Sequence, residues 1–543
     1  MEEVFNEEQK RTLEKYVTNT TDNVFVLKNL PEVIKGALFS RYSRSTMGLR
    51  SLLLKEFITN NEETAFNAIV SSTIGDNKQA FLEQQTAIKK AQAFYDRILD
   101  GYGDDSIGEL GGAHLAIENV SMLAAKMLED SRIGGSPLEK STRYIYFDQQ
   151  VNGQYLFYRE PILMTSAYRD AYVNTCNMLF DTYTKLIPPL TEKMESSYPP
   201  EEGITKGAYR ASIRAKVCDT LRGLLPAGTL TNMGIYGNGR FFEMLLHKLH
   251  CQNLVELQDI GKSAYEELAK AIPSFVRRSE ISHRTHIKFA EYFEALKEKI
   301  ELITSQHAGL AERSMDKGVH LLSWDPDAVV NVAAAILYNF SDRGLGDLRQ
   351  YCQQLPEEEI ARILEAACDS RENRRHKSPR ALEHAYYTFE ILSDFGAYRD
   401  LHRHRMLTQE RQYLSCDYGY DIPSDIINTE MEKPYREALD RAGEVYDKIS
   451  HELREEAQYV VPMAYRVRYY FNVNLRALQW LCELRSTPAG HTSYREIAQS
   501  MAKEIIRVHP QFERFFKFVD YENHDLGRLG QEQRQAEKLS QLV

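Results

Sequence analysis

Hydrophobic and polar positions along the chain predict a helix-rich protein with a few short strands. Amphipathic stretches typical of helices fill residues 1–130, with a turn predicted where glycine and aspartate cluster at 101–106. The aromatic run HAYYTFEIL at 384–392 predicts a buried strand. A helix over 393–405 should follow it, capped by its first or second residue. The predicted fold class is therefore α+β with helices dominant.

One pattern of apolar and polar residues occurs twice. Residues 221–249 and 457–485 align without a gap, at the constant offset that separates Asn238 from Asn474. A self-match at a fixed offset indicates duplication of a whole folding unit. We read both segments as helical. The aligned pairs are Pro226 with Pro462, Asn238 with Asn474 and Arg240 with Arg476.

The two copies differ in their polar residues, and this difference suggests one composite site. Arg222 in the first copy aligns with Gln458 in the second, whereas Arg485 in the second aligns with Leu249 in the first. Each copy has lost what the other has kept. Residues from both copies are therefore expected to contribute to a single site.

The duplication predicts two tandem domains. At 543 residues the chain is longer than one hydrophobic core usually serves. We place the first copy, with an N-terminal helical extension, at 1–305 and the second at 320–543. A proline-containing insertion is expected near 185–208, and the Gln-rich residues 524–543 are expected to fray.

Composition and charge narrow the classes of function. Hydrophobic residues make up 43% and charged residues 27% of the chain, as in an ordinary soluble globular protein. The net charge of −11 argues against general affinity for nucleic acid or anionic lipid. The acidic start is unlike a secretory signal, and the apolar run from Val329 to Tyr338 is too short to span a bilayer. Seven cysteines without a CxxC pair fit reduced, structural thiols, so we expect a cytoplasmic protein.

The densest group of cationic residues is Arg403-His404-Arg405, with Arg399 one helical turn earlier. Guanidinium groups suit a phosphate or pyrophosphate ligand. The alternative is that these cations only complement the dipole at the C-terminal end of a helix. The sequence leaves both interpretations open.

A second group of polar residues lies in GGSPLEKSTRY, residues 134–144. If this segment is extended, Glu139, Ser141 and Arg143 share one face, because strand side chains alternate. A carboxylate, a hydroxyl and a guanidinium can together hold the ring, sugar and phosphate of a nucleotide. The backbone at the two glycines can also approach a phosphate closely. The alternative is a surface strand that carries a charge pair.

Other polar residues have simpler explanations. Asn238 and Asn474 each precede an apolar helix and are ordinary N-cap residues, whereas Arg240 and Arg476 are less easily explained by helix formation. GIYGNG at 234–239 is not a dinucleotide fingerprint, because no strand is predicted before it and the glycine order differs. We expect no metal, since the histidines match no familiar ligand spacing. These histidines are His376, His384, His402 and His404.

Together these segments resemble the flavin-dependent thymidylate synthases. The signature of that family is RHR followed after seven residues by Ser-x-Arg, commonly with a Glu two residues before the Ser. Here the signature is split. The second copy has RHR at 403–405 but continues MLTQERQYLS, whereas the first has Glu139, Ser141 and Arg143 but reads Ser-Arg-Ile where RHR belongs. The segments HKSPRALEHAYYTFEI and VPMAYRVRYYFNVNLRALQWLCELR are similar to the stretch before RHR and to the family's Asn-x-Arg helix.

The resemblance implies different roles for the two copies. In the family, RHR and the Asn-x-Arg pair bind FAD, and the remaining signature residues with further arginines hold dUMP. The implied dUMP ligands are Glu139, Ser141, Arg143, Arg222 and Arg485, with Arg485 and Ser141 as the catalytic residues. The implied FAD ligands are Arg403, His404, Arg405, Asn474 and Arg476. The mirror-image site, expected to be inactive, would contain Ser131, Leu249, Gln458 and Ser415.

The resemblance also implies an activity, a fold and an assembly. The activity is reductive methylation of dUMP to dTMP, with FAD as cofactor and with NADPH and methylenetetrahydrofolate as co-substrates. The fold is two tandem copies of a small antiparallel sheet with long packed helices. The assembly is a homodimer that forms a pseudo-tetramer.

Two residues depart from the family pattern. Asp400 stands where the family often has Gln, and Leu138 stands where it often has Asn. These departures leave two alternatives open. The first is a non-catalytic homologue that binds flavin or nucleotide, and the second is a flavoenzyme acting on another pyrimidine nucleotide.

Overall fold

The computed structural model describes residues 5–30, 32–42, 45, 47–58 and 108–540. The helices, numbered in chain order, are α1 Glu7–Leu13, α2 Glu32–Tyr42, α3 Leu49–Leu52, α4 Met122–Glu129, α5 Pro161–Thr165, α6 Arg169–Ser197, α7 Lys206–Leu221, α8 Gly239–His250, α9 Val255–Ala271, α10 Pro273–Val276, α11 Arg284–His307, α12 Ala328–Tyr338, α13 Leu345–Gln354, α14 Glu357–Ala366, α15 Phe395–Leu401, α16 Glu432–Ser450, α17 Leu475–Arg485, α18 Thr492–Val508 and α19 Leu529–Ser540. The strands are β1 Gly112–Ser121, β2 Gly135–Glu139, β3 Gln150–Val151, β4 Gln154–Tyr155, β5 Leu230–Asn238, β6 Gly318–Trp324, β7 Tyr386–Asp394, β8 Thr408–Arg411 and β9 Arg466–Asn474. Short 3-10 turns cover Arg222–Leu224, Arg277–Ser279, Ala308–Leu310, Arg380–His384, Glu456–Val460 and Pro510–Phe516, and a π-helical turn covers Leu53–Ile58.

The structure confirms a helix-rich α+β protein with small sheets. The predicted helical stretch over 59–107, with its turn at 101–106, lies outside the described residues. All seven cysteines carry free thiols, and five of them are buried. In the described part of the chain, no helix combines the length and the apolar character needed to cross a membrane.

Internal contacts divide the chain into two compact units. The first unit contains residues up to 118 together with 131–138 and 232–311, and the second contains 119–130, 139–231 and 312–543. The predicted domains, 1–305 and 320–543, divide the chain by its sequence repeat and not by these contacts. That division stays a prediction.

In the first unit, a strand leads directly into an amphipathic helix. Most of β5 lies here, in a three-stranded sheet of order β1–β5–β2, and its residues alternate between exposed and buried. Asn238 then caps α8 by accepting the Phe241 N–H at 2.8 Å. The N-cap prediction for Asn238 is therefore confirmed, but a helix throughout 221–249 is wrong. GIYGNG itself lies largely in this strand: Gly234 and Gly237 belong to β5, and Gly239 is the first residue of α8.

Histidines on α8 and α11 form a cluster in the first unit. His247 Nδ1 lies 2.9 Å from His286 Nδ1, and the two rings stack with their centroids 5.1 Å apart. His250 meets the His286 ring edge-on at 5.4 Å. Burial first, and neighbouring imidazoles second, lower the pKa of His247 and His250 to about 4. The folded cluster therefore stays neutral at pH values where an exposed histidine is already charged.

This cluster predicts a loss of stability in mild acid. The unfolded chain protonates these histidines near pH 6.5 and the folded chain only near 4, so the unfolded state takes up protons first as the pH falls. We expect full stability above pH 6.5 and a decline towards 4. Urea unfolding at stepped pH measures this decline. His247→Phe keeps an aromatic ring against Phe289 and removes one titrating group, so it should flatten the decline; an unchanged slope would contradict the assignment.

The second unit is built on a four-stranded antiparallel sheet of order β6–β7–β9–β8. β7 confirms the predicted buried strand, and it pairs with β9 along its whole length, from Tyr386 opposite Asn474 to Asp394 opposite Arg466. β9 lies in the segment that we read as a helix. That prediction is wrong because 466–474 alternates between buried and half-buried residues, which is the period of a strand.

The helices that follow β7 and β9 begin as predicted, although one ends early. Asp394 caps α15 by accepting the Ala397 N–H at 2.8 Å, and Asn474 caps α17 by accepting the Ala477 N–H at 2.9 Å. α15 ends at Leu401 and a turn at 402–403 follows it, so the predicted helix over 393–405 is too long. The RHR residues therefore follow a helix end and do not extend its face.

Helices occupy part of the expected insertion near 185–208 and most of the tail that is predicted to fray. α6 passes through Pro188 and Pro189 in the expected insertion, and it buries Leu186 and Leu190 on either side of them. This burial offsets the roughly 3 kcal/mol that an internal proline costs a helix. At the other end of the chain, α19 packs against α7. The prediction of fraying is thus wrong for the residues of α19.

Candidate functional site

The two repeats meet within the second unit along a short backbone pairing. Pro226 and Pro462, which the sequence alignment pairs with each other, form a bridge at its centre. Each hydrogen bond on one side has its counterpart on the other, as in an interface with two-fold symmetry. The bonds are Ala227 N to Val461 O (2.8 Å), Met463 N to Leu225 O (3.0 Å), Gly228 N to Tyr459 O (2.8 Å) and Ala464 N to Gly223 O (2.9 Å).

A buried carboxylate at the end of β2 is held by cations from both copies. Arg399 Nη2 donates to Glu139 Oε1 at 2.5 Å, and Lys126 Nζ lies 2.8 Å from Glu139 Oε2. The Glu139 side chain has no exposed surface. Burial alone would raise the pKa of Glu139, but Arg399 and Lys126 hold it below its ordinary value. Glu139 is therefore an ionised carboxylate in a fixed position.

Further charges surround this carboxylate. Lys126 also pairs with Glu129, and His402 pairs with Asp130 and lies 3.4 Å from Glu129 Oε2. Burial acts to lower the pKa of His402, but Asp130 and Glu129 raise it above its ordinary value. The histidine is thus bound by carboxylates on both of its ring nitrogens. Within the described residues, no three His, Cys, Asp or Glu side chains form a group that could hold a metal ion.

The predicted extended face of Glu139, Ser141 and Arg143 is only partly formed. β2 ends at Glu139, and residues 142–144 form a turn. Ser141 Oγ accepts the Arg143 N–H at 3.2 Å, which helps to close that turn. A turn, and not the alternation of a strand, therefore determines where the second and third of these side chains lie.

Arg143 is the centre of a hydrogen-bond network. Its Nε and Nη2 donate to the two Asp219 carboxylate oxygens at 2.8 Å each, and Nη1 donates to the Tyr494 hydroxyl at 2.6 Å. Nη2 also donates to the Ala489 carbonyl at 3.3 Å. Arg528 Nη1 donates to the Arg143 carbonyl at 2.9 Å. The guanidinium that the resemblance assigns to dUMP is therefore engaged by the protein on every nitrogen.

Arg222 and Asp400 form a second ion pair between the copies. Arg222 Nη1 donates to Asp400 Oδ2 at 3.1 Å, and the side chains are only 5% and 13% exposed. Burial alone would raise the pKa of Asp400, but nearby guanidinium groups hold it well below its ordinary value. In order of effect these belong to Arg222, Arg143, Arg485 and Arg403. Asp400 is thus an ionised acid among the arginines that the resemblance assigns to ligands.

Arg485 connects the RHR turn to Tyr494. Its Nε donates to His404 Nε2 at 2.9 Å, and its guanidinium lies 5.6 Å from the centre of the Tyr494 ring. The Arg143 guanidinium lies 5.3 Å from the same ring centre. Burial first, and Arg485 second, lower the pKa of His404 well below its ordinary value. His404 therefore accepts this hydrogen bond as a neutral imidazole.

A cavity of about 340 Å³ lies beside Arg222. Three of its lining side chains, those of Arg222, Ser212 and Tyr435, are buried. Among the residues that the structure describes, no hydrogen-bond partner reaches Arg222 Nη2, Ser212 Oγ or the Tyr435 hydroxyl. Acidic side chains, including Asp394 and Asp421, form other parts of the wall. Arg222 therefore lines the cavity, binds Asp400 through Nη1, and has a second terminal nitrogen with no hydrogen-bond partner among the described residues.

The residues assigned to FAD fall into two groups. Arg403 and Arg405 are exposed on the turn after α15, and Arg403 Nη2 lies 3.7 Å from Glu139 Oε2. Asn474 and Arg476 stand at the opposite end of α17 from Arg485, about 14 Å away along the helix axis. Arg476 there donates to the Ser378 carbonyl at 2.8 Å and to Glu383 at 2.7 Å. Within one chain, a helix length separates the two groups.

Sequence reasoning missed three residues that organise this site. Lys126 is a lone lysine in the otherwise apolar helix α4, with Glu129 one turn later, and this pattern was a usable signal for a buried ion pair. Asp219 and Tyr494 offered no such signal. They lie far from Arg143 in sequence, and only the folded chain brings them together.

Two residues of the mirror-image site, Gln458 and Leu249, have ordinary packing roles. Gln458, which aligns with Arg222, is buried, and its Oε1 accepts the Leu414 N–H at 3.1 Å. Its Nε2 donates to the Glu455 carbonyl at 3.0 Å. Leu249, which aligns with Arg485, is buried in the first unit. These positions carry no guanidinium that could bind an anion.

Comparisons with known proteins show the family of the chain. The family described as thymidylate synthase complementing protein matches residues 53–274 and 320–511. A UPF0159 protein of Chlamydia pneumoniae is 55% identical over 533 residues, with 98% of both chains covered. A UPF0159 protein of Thermoplasma acidophilum is 34% identical over 530 residues, covering 93% of this chain and 99% of its own. A flavin-dependent thymidylate synthase of Sulfolobus acidocaldarius is 27% identical over 214 residues, covering 37% of this chain and 76% of its own. Because the family pattern covers most of both copies, the chain belongs to the thymidylate synthase complementing protein family.

Proposed function

We propose that the protein is a flavin-dependent thymidylate synthase that converts dUMP to dTMP. The observation that carries the proposal is the meeting of complementary residues from the two copies in one place. Glu139 of the first copy binds Arg399 of the second at 2.5 Å, and Arg222 of the first binds Asp400 of the second at 3.1 Å. The residues that resemble the nucleotide half and the RHR half of the family signature are therefore neighbours within a single chain.

The proposed reaction defines what the site must hold. A bond forms between uracil C5 and the methylene carbon of methylenetetrahydrofolate, that carbon leaves the folate, and C5 loses its proton. Two electrons from NADPH bring the transferred carbon to the methyl level, and bound FAD supplies this redox chemistry. The chain itself would bind and orient the nucleotide, with Arg485 and Ser141 polarising the pyrimidine through hydrogen bonds.

The chain offers suitable partners for an FAD pyrophosphate. Arg403 and Arg405 expose guanidinium groups on the turn after α15, and guanidinium forks bind phosphate oxygens in pairs. His404 is fixed between them by Arg485. Arg476 keeps about a third of its side chain exposed at the far end of α17.

We further propose a homodimer that completes the flavin site. One chain presents Arg403 and Arg476 about a helix length apart, so a second copy of the chain would bring its Arg476 to the Arg403 of the first. This assembly keeps the two-fold pairing already present between the repeats. Every flavin site would then use both chains.

Flavin content and turnover test the proposed function directly. Purified protein should show the absorbance of oxidised flavin or gain it on incubation with FAD. It should then form dTMP when supplied with dUMP, methylenetetrahydrofolate and NADPH. A protein that takes up no flavin contradicts the proposal. A flavoprotein that is inactive on dUMP would favour the alternatives, a non-catalytic homologue or an enzyme for another pyrimidine nucleotide, and Asp400 is the residue that favours them.

Paired variants test which residues serve flavin and which serve the nucleotide. Arg403→Ala should lose flavin, whereas Ser141→Ala should keep flavin and bind dUMP more weakly by about 1.5–3 kcal/mol, because one hydrogen bond to a charged ligand is lost. Flavin absorbance and calorimetric titration with dUMP measure the two effects. Arg143→Ala is a poor probe, because it also breaks the contacts with Asp219 and Tyr494. If Ser141→Ala loses flavin, the assignment is wrong.

Mixed dimers extend the same test to the assembly. Arg403→Ala and Arg476→Ala should each abolish flavin binding when expressed alone. Co-expressed, the two chains would form mixed dimers with one intact site in two, giving roughly a quarter of the wild-type flavin content if chains pair at random. If each site lies within one chain, co-expression restores no flavin.

A further inference from the structure

The arginines around the proposed nucleotide site already have anionic partners. Arg143 is bound by both oxygens of Asp219, and Arg222 is bound by Asp400 at 3.1 Å. Asp219 comes from the same helix that leads to Arg222, whereas Asp400 comes from α15 of the other copy. The cationic charge that a phosphate dianion would use is therefore partly neutralised by the protein.

Asp400, unlike Asp219, is placed so that a ligand anion could replace its carboxylate on the arginine. Within the described part of the chain its side chain accepts one hydrogen bond, from Arg222, whereas Asp219 makes a two-point contact with Arg143. It lies in the last turn of α15, next to its final residue Leu401, and it keeps some exposure. Among the described residues, Arg222 Nη2 has no hydrogen-bond partner, and Arg222 is one of the residues that line the cavity. Arg222 could thus turn towards a ligand without losing another bond of its side chain.

Electrostatics make the carboxylate and a phosphate mutually exclusive partners. Two anions a few ångströms apart in a site of low exposure repel each other by several kcal/mol at an effective dielectric of about 20. A phosphate that binds among these arginines must therefore displace the Asp400 carboxylate. If it does not, repulsion from that carboxylate weakens its binding. Removing the negative charge of Asp400 would leave Arg222 Nη1 without its bound carboxylate until an anion binds.

We propose that Asp400 is an internal substitute for the nucleotide phosphate, holding Arg222 in the ligand-free protein and determining how tightly the site binds a dianionic nucleotide. The inference rests on the proposed function, because it takes the ligand to be a pyrimidine nucleoside 5′-monophosphate. Asp400 is a specificity-determining residue in this account. A neutral nucleoside does not compete with it, whereas a nucleotide does.

Asp400→Asn tests the proposal, because it removes the charge and keeps the shape. We measure binding of dUMP and of 2′-deoxyuridine to the flavin-loaded protein by calorimetry. The variant should bind dUMP about 10–100-fold more tightly, corresponding to the loss of one anionic competitor. Its affinity for 2′-deoxyuridine should be unchanged. The ligand-free variant should melt at a lower temperature than the wild type, and dUMP should raise its melting temperature by more than it raises that of the wild type.

Glu243→Gln is the matched control. Glu243 is a buried acid of the first unit that makes two hydrogen bonds to Arg278, at 2.6 and 2.8 Å. This variant also removes the charge of a carboxylate that binds an arginine, so it should lower the melting temperature. It should leave the affinities for dUMP and 2′-deoxyuridine as they are in the wild type. A general effect of instability on binding would appear in both variants.

The outcomes separate this inference from the proposed function. If the wild type binds dUMP and Asp400→Asn binds it no more tightly, the substitute role is wrong and the proposed function stands. If flavin-loaded wild type binds neither dUMP nor 2′-deoxyuridine, both fail. Should the variant not fold, the wild type alone decides: the phosphate should improve binding less than about tenfold over 2′-deoxyuridine. A larger gain would show that Asp400 does not compete, and would overturn the inference.

Discussion

Replacement of Glu139 by alanine is expected to lower the free energy of unfolding by about 3–5 kcal/mol, because it leaves buried cations without their counterion. Lys126 has no exposed side-chain surface and Arg399 only 6%. Both contact the Glu139 carboxylate, at 2.8 and 2.5 Å. In the variant, Lys126 would still form its ion pair with Glu129. Arg399 would be left mainly with the two methionine sulfurs that lie near its Nη1. Urea unfolding followed by circular dichroism measures the loss.

An exposed ion pair provides the control for this experiment. Glu359 pairs with Arg362 on the surface of α14, with side chains 45% and 74% exposed. Glu359→Ala should change the free energy of unfolding by no more than about 1 kcal/mol, since solvent screens such pairs. If Glu139→Ala costs no more than this control, the buried cations have found other partners and the network is less important than its geometry suggests.

Replacement of Arg485 by lysine is expected to lower kcat for dUMP methylation by about 100–1,000-fold, the cost of removing one fixed donor from a transition state. The prediction rests on the proposed function. Lysine keeps the charge but has no planar fork and no Nε–H to donate to His404. It would also lose the stacking of the guanidinium on the Tyr494 ring. The group that polarises the pyrimidine would then be present but poorly placed.

Two further measurements make the Arg485 result specific. Arg507→Lys, on the exposed surface of α18 where Arg507 pairs with Glu504, should leave kcat unchanged. Flavin absorbance of Arg485→Lys should equal that of the wild type, which separates an effect on the nucleotide from loss of the cofactor. Unchanged turnover in Arg485→Lys would remove this residue from the proposed catalytic machinery.

Local signals in the sequence predicted the parts of the fold that local physics determines. Asp394, Asn238 and Asn474 cap helices as predicted, because a capping side chain needs only the next three residues. β7 was predicted from its aromatic content. β9 and β5 were missed because their alternation leads without a break into an apolar helix, and the combined segment resembles one long helix.

The sequence predicted which residues belong to the site, but not which of them bind one another. The signature residues led to Glu139, Arg143 and Arg222 in one copy and to the RHR turn in the other. Nothing local revealed that Arg143 would bind Asp219 or that Arg222 would bind Asp400. Those pairs join residues separated by 76 and 178 positions. Only the tertiary fold decides such contacts, which is why the sequence could flag Asp400 as unusual without giving its partner.

The backbone pairing around Pro226 and Pro462 has a consequence for how such a chain can evolve. In a protein assembled from identical subunits, a mutation beside such a pairing appears on both sides at once, and selection must accept both changes or neither. Here the two sides are encoded separately, so Arg222 could persist while its counterpart became Gln458, a residue that now holds the Leu414 backbone. Fusion of the repeats thus allows the two sides of the pairing to mutate independently. Each copy can specialise at no cost to the other.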